Sequence, residues 1–255
     1  MNYIDTHVHL FVQAFAGDFD AVVERARKAG VERMMIITTD EEEAYRAMPF
    51  VEKDPYHFQL AYGIHPQRIS KVTDEMIRKC DEIVRDPRVT AVGEIGLDYI
   101  TDKERKDLQK EVFIHQIETA VSLNKPILVH SRKAIQDTYD IMKAHPSRGL
   151  MHSFGGSVEM GREFMKLGYY IVYGGAATYL NNRHAKEVVR DMDLRYLLTE
   201  TDAPYVTPEP FRGERNEPCN LPYILRSLAA YRGIPEEELA GIIEENYRRF
   251  LGETA

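Results

Sequence analysis

Two imidazoles separated by a single residue, His7 and His9 in Asp5-Thr6-His7-Val8-His9, follow directly on the first apolar run of this chain. In an extended strand alternate side chains share a face, so both rings can reach one metal ion. Histidines and carboxylates recur at the ends of later apolar runs: His65 in Gly63-Ile64-His65-Pro66, Glu94 in Gly93-Glu94-Ile95, His130 before Ser131-Arg132, His152 before Ser153, and Asp202 in Glu200-Thr201-Asp202. Singly, each has an ordinary structural explanation, such as a hydrogen-bonded interior histidine or a carboxylate capping a turn. Those separate accidents would all have to fall at one depth of the fold. Imidazole and carboxylate without thiolate suit a hydrolytic Zn2+, Mn2+ or Mg2+ site better than a closed structural zinc site built on cysteines.

The elements that must position these groups are legible as alternation. Eight short apolar runs, Tyr3 to His7, Arg33 to Thr38, His57 to Gly63, Val89 to Ile95, Pro126 to His130, Gly149 to Ser153, Tyr169 to Tyr173 and Arg195 to Thr199, are separated by segments of helical period such as Leu108, Val112, Phe113, Ile117, Ala120 and Val121. This repeated strand-helix pattern predicts an α/β fold, a (β/α)8 TIM barrel, as a single domain over residues 1–255. A stripe at Leu239, Ile242, Ile243, Tyr247 and Phe250 predicts a last helix closing the ring just after Pro235. A doubly wound sheet would place a glycine-rich turn after its first strand, where this chain has His7 and His9.

In such a barrel the strands' C-terminal rim is where active sites form, so the histidines and carboxylates converge. His7, His9 and Asp202 meet where the first and eighth strands adjoin. His130 and His152 come from the neighbouring fifth and sixth strands, and Glu94 lies between with two oxygens able to bridge. Two divalent ions are therefore expected; paired ions about 3.5–4 Å apart hold the attacking and leaving oxygens of a displacement. Asp202 and Glu94 are the expected catalytic residues, Asp202 as the base that takes a proton from water. Asp5 and Glu200, each two residues before a ligand, are expected to orient histidines rather than to bind metal. His65, Arg132 and Arg215 are candidates for holding substrate phosphate, since an arginine fork matches phosphate oxygens.

Composition narrows the class. The formal net charge of −8 argues against delocalised nucleic-acid binding, while a metal-bearing cleft still attracts phosphate locally. Cys80 and Cys219 make no disulfide framework and fit a reducing, cytoplasmic setting; Cys80 continues an apolar helical stripe. No positive n-region precedes the first apolar residues and no run approaches membrane-spanning length, so neither secretion nor membrane insertion is expected. No obligate protein partner is evident.

The strings Asp5-Thr6-His7-Val8-His9-Leu10, Gly63-Ile64-His65-Pro66, Gly93-Glu94-Ile95-Gly96-Leu97-Asp98-Tyr99, His130-Ser131-Arg132-Lys133-Ala134, Thr199-Glu200-Thr201-Asp202-Ala203-Pro204-Tyr205 and Arg215-Asn216-Glu217-Pro218 occur in one order over nearly the whole chain. In them the chain resembles the TatD family of metal-dependent hydrolases, within the amidohydrolase-like barrels. The resemblance implies a TIM barrel with metal ligands His7, His9, Glu94, His130, His152 and Asp202. It also implies deoxyribonuclease activity, often as a 3'-to-5' exonuclease. Ser153 stands where the family commonly has cysteine, and Lys133 where it commonly has an acidic residue; neither is a proposed ligand. Single-stranded DNA or RNA is the expected substrate. The rival readings are a lactonase or amidase on a small neutral molecule, which would not need the rim cations Arg132, Lys133, Arg212 and Arg215, and a non-catalytic metal-stabilised binding protein, which would need more ligands than six shared between two ions.

Overall fold

The computed structural model describes residues 1–253. Each apolar run of the sequence becomes a strand and each periodic segment a helix. In chain order these are β1 (Tyr3–Val8), α1 (Phe19–Lys28), β2 (Val31–Thr38), α2 (Glu41–Lys53), β3 (Phe58–Tyr62), α3 (Asp74–Ile83), β4 (Ala91–Asp98), α4 (Lys106–Ser122) and β5 (Ile127–Arg132). They continue with α5 (Ile135–Ala144), β6 (Gly149–Met151), α6 (Val158–Lys166), β7 (Tyr170–Tyr173), α7 (Arg183–Asp191), β8 (Leu197–Thr199), α8 (Leu221–Arg232) and α9 (Glu236–Leu251). The strands run parallel in the order β1 to β8, with every neighbour the next in sequence. Buried on both faces, they read as continuous apolar runs rather than alternating ones. Several helices start on a side-chain cap, among them Thr73 accepting from the Met76 N–H and Ser157 from the Met160 N–H.

Closure between β1 and β8 combines backbone hydrogen bonds at the rim with side-chain ones below it. The backbone supplies Asp202 N–H to the His7 carbonyl at 2.9 Å and His9 N–H to the Ala203 carbonyl at 2.8 Å, both at the rim. Lower down, Thr6 Oγ1 donates to the Thr199 carbonyl at 3.0 Å and Thr199 Oγ1 to the Ile4 carbonyl at 2.8 Å. All three residues are buried. Thr199→Val keeps the shape and deletes one donor against a buried acceptor, so we expect about 1–3 kcal/mol of destabilisation, read from the urea unfolding midpoint.

The predicted final helix exists but has a different task. α8, with buried Leu221, Ile224, Leu225 and Leu228, takes the outer place after β8, and α9 packs beneath the N-terminal ends of the strands. From α9, Tyr247 donates to Gln59 Oε1 at 2.9 Å, and Asn246 Nδ2 donates to the carbonyls of Leu194 and Leu197 at 2.7 Å each. Arg33 packs over the Tyr247 ring and forms a fork with Glu253. The floor is thereby sealed, and the open end of the barrel is the rim that carries the histidines. Cys80 is buried, as its stripe implies, and both cysteines are free. Among the described residues no helix is long and apolar enough to cross a membrane.

Candidate metal centre

β1 delivers Asp5, His7 and His9 upward through the barrel, with His7 fully buried and His9 at its mouth. Their ε nitrogens end 3.2 Å apart, as the spacing of two on a strand requires. From β4, Glu94 meets them: its Oε2 lies 3.2 Å from His7 Nε2, while Oε1 lies 2.8 Å from His130 Nδ1 and 3.2 Å from His65 Nε2. One carboxylate thus faces two groups of histidines with a separate oxygen for each. The register of β4 against β5 sets Gly96 opposite His130, and Gly96, at φ 136°, is where a Cβ would collide with the His130 carbonyl oxygen. Asp202 closes the first group, its Oδ1 3.5 Å from His9 Nε2 and 3.8 Å from His7 Nε2.

These side chains fall into three overlapping groups of metal-ligand reach: His7, His9 and Asp202; His7, Glu94 and His152; and His65, Glu94 and His130. The partition differs from the expected pairing of His130 with His152. Those rings are 6.4 Å apart, whereas His152 stacks on His7 at 3.6 Å. His65, expected as a phosphate contact, lines the cavity and also lies among the ligand-capable residues on Glu94. The arrangement fits divalent ions: lone-pair donors of imidazole and carboxylate converge at hydrogen-bond spacing, and no cysteine is among them.

Outer partners hold the rings. Glu200 Oε2 accepts a hydrogen bond from His152 Nδ1–H at 2.7 Å while its Oε1 accepts the Ser153 N–H at 3.0 Å, so Glu200 orients a histidine two strands away. Asp5 does something else. Its oxygens accept the Thr201 N–H at 2.9 Å, the Thr201 hydroxyl at 2.5 Å and the His7 backbone N–H at 3.3 Å, and it makes no bond to an imidazole ring. It therefore ties β1 to the segment bearing Asp202 instead of orienting a ring. Sequence reasoning missed Asp98, which is fully buried, accepts from Gln67 Nε2 at 3.0 Å and sits 3.3 Å from His130 Nε2. The signal was its even spacing from Glu94 on one strand. Asp202, Ser153 and Lys133 all have φ near 50°, an uncommon backbone state for non-glycine residues that concentrates here at strand ends.

A cavity of about 510 Å³ opens above this cluster, with Arg132, Arg68 and Tyr205 on its walls. Arg132 is exposed and, among the described residues, enters no ion pair. Arg215 departs from expectation. Its fork is taken by Asp18 at 2.7 and 2.9 Å and by Glu217 at 2.6 Å, and it packs over the Phe15 ring, so it braces α1 against the loop after β8 and does not line the cavity.

The sequence family described as TatD related DNase matches residues 4–252. The chain belongs to the TatD-related DNase family. Among relatives of this TatD chain, an uncharacterized metal-dependent hydrolase, YabD of Bacillus subtilis, is 40% identical over 250 residues, covering 97% of this chain and 98% of the relative. The uncharacterized metal-dependent hydrolase TatD of Mycobacterium tuberculosis is 35% identical, covering 98% and 97%. In three dimensions the chain is similar to YJJV, a TatD homolog from Escherichia coli K12, with a TM-score of 0.91, 30% identity and 97% of each chain covered. The protein is a metal-dependent hydrolase of the TatD family, built as a TIM barrel.

The electrostatics of this TatD site make metal binding a proton exchange. Burial pulls His152 down, but the charges of Glu200 and Glu94 outweigh it and hold the ring at about 10. Burial likewise opposes His130, yet its bonds to Asp98 and Glu94 raise it to about 9. His7 goes the other way, pushed down to about 3 by burial and by neighbouring His152. A metal needs the neutral imidazole. At pH 7 His130 and His152 must each give up a proton, His9, raised against burial by Asp202 and Glu94, adds to the release, and His7 gives none, so the apparent affinity rises as pH rises from 7 towards 9. Titration calorimetry of Mn2+ binding in two buffers of different ionisation heat reads the release. Heats independent of buffer contradict it.

Proposed function

We propose that the protein is a deoxyribonuclease that hydrolyses phosphodiester bonds at a single-stranded DNA end, removing nucleotides from the 3' terminus. The observation that carries this reading is Arg132, an exposed cation with no ion-pair partner among the described residues, at the mouth of the cavity that contains Glu94, His130 and Asp202. A neutral substrate would have no use for that charge, and the family's description points the same way. The 3' direction comes from resemblance to the family.

Two divalent ions, held by His7, His9 and Asp202 on one side of Glu94 and by the remaining histidines on the other, would supply positive charge for phosphate oxygens and ease the deprotonation of water near neutral pH. The chain does the rest. Arg132 presents its guanidinium fork to a phosphate oxygen pair and sets the strand in the cavity. Asp202, whose carboxyl is held below its ordinary value because His9 and the adjoining imidazoles outweigh burial, is ionised and able to accept a proton. His65 and His130 fix the Glu94 carboxylate from one side while His7 faces its other oxygen. With a net charge of −8 and few cations near the cavity, the protein has little with which to offset the cost of unpairing a duplex, so a frayed or single-stranded end is favoured.

End-labelled single-stranded oligonucleotides with the 3' or the 5' terminus blocked, set beside a circular single strand and a lactone panel, test the reading with the metal-loaded protein. Loss of cleavage on blocking the 3' end, an intact circle and a weak dependence on salt are expected. Cleavage of the circle at the same rate removes the exonuclease. Turnover of a lactone or amide with no nucleic acid cut transfers the site to small-molecule hydrolysis.

A further inference from the structure

The cavity has a feature that phosphate chemistry does not use. Tyr205 lines it, its ring 5.7 Å from that of His9 and nearly perpendicular, yet 53% of the residue is exposed. An exposed aromatic on a loose loop would mean little. This one is held firmly. Its N–H donates to the Asp202 carbonyl at 2.8 Å, and its own carbonyl accepts Asn216 Nδ2 at 2.8 Å. Asn216 is fully buried and gives its other amide proton to the Thr201 carbonyl, also at 2.8 Å, so one side chain binds the Tyr205 backbone to the segment that carries Asp202. The next residue, Val206, has φ 49°, a state that a β-branched residue adopts only when its surroundings impose it. The loop therefore presents a flat apolar surface at a set distance from the candidate ligands His9 and Asp202, facing the same cavity as Arg132.

We propose that Tyr205 is the platform for a planar ring of the substrate, the nucleobase beside the phosphate that is attacked. This deepens the phosphodiesterase reading and rests on it. Stacking would let the site grip a strand end without reading its sequence, because every base has a π-face. It would also explain how a protein of net charge −8 holds a polyanion with few cations: part of the grip is apolar. The Tyr205 hydroxyl is not needed for this, and the ring is.

Binding is measured on the metal-loaded protein without turnover, on single-stranded oligonucleotides whose last linkage is an uncleavable phosphonate and whose 3'-terminal nucleotide carries 2-aminopurine or an abasic site. Wild type and Tyr205→Phe are expected to quench the terminal 2-aminopurine and to bind alike. Tyr205→Ala and Tyr205→Leu are expected to bind the base-bearing end roughly tenfold more weakly and to lose the quenching, by the usual scale of one base–aromatic stack. The difference between variants should collapse on the abasic end. Equal binding of the base-bearing end by Tyr205→Ala and wild type, or a loss in Tyr205→Phe as large as in Tyr205→Ala, overturns the platform. The phosphodiesterase reading fails separately, when the metal-loaded wild type cuts no nucleic acid with an ordinary linkage; the binding comparison on the uncleavable ends still decides whether the ring stacks a base.

Discussion

Asp202→Asn is expected to leave the barrel folded and much of the metal in place while turnover falls at least about 100-fold, the scale on which a general base contributes. Asparagine keeps one oxygen in the position that faces His9 and His7 at 3.5 and 3.8 Å, so a ligand is retained. It cannot accept a proton from water. The backbone that sets the residue, with Asp202 N–H on the His7 carbonyl and φ at 57°, tolerates asparagine, one of the residues that enters the left-handed region most readily. Circular dichroism and elemental analysis check the fold and the metal, and rate assays check the loss. Near-normal turnover removes Asp202 from the chemistry.

Glu94→Ala is expected to lower metal content throughout the site, because the Glu94 oxygens point separately at His7 and at His130 with His65. His130→Ala, by contrast, should empty mainly the group it shares with His65, since His7, His9 and Asp202 meet without it. Activity should follow metal, with Glu94→Ala the more severe. The carboxylate is buried and is held well below its ordinary range because the surrounding imidazoles, His65 and His7 foremost, outweigh the burial that would raise it. Removing it takes away a negative charge that His152 and His130 share, leaving Glu200 and Asp98 as their remaining carboxylate partners, so the variant should also hold these two rings less firmly in the protonated form. Elemental analysis after dialysis against a fixed Mn2+ concentration separates the two variants. Full occupancy in Glu94→Ala refutes the shared carboxylate.

Most of this site was legible in one dimension, and the reason is local. A metal-ligand pattern at strand ends needs only the period of two along a strand and the rule that barrel strands deliver their last residues to one rim. His7, His9, Glu94, His130, His152 and Asp202 satisfy both. The eight strands were legible for a similar reason: parallel strands buried on both sides are continuous apolar runs, and the helices between them keep their own period.

What the chain alone could not decide were matters of long-range pairing. Arg132 and Arg215 look equivalent in sequence, but Asp18, 197 residues from Arg215, takes that fork, and among the described residues no carboxylate reaches Arg132. His65 lines the cavity, as its place at the rim implies, but only the packing of β3 against β4 brings it within reach of Glu94, and Glu200, expected to orient a histidine, finds that histidine in His152, 48 residues away. The seam between β1 and β8 depends on two threonine hydroxyls whose partners lie at opposite ends of the chain. Residue type and spacing determine which groups can bind a metal, because that is a property of each side chain and its strand. Which charges stay free, which rings are oriented and which aromatic stands exposed are set by neighbours distant in sequence, and only the folded barrel brings those neighbours together.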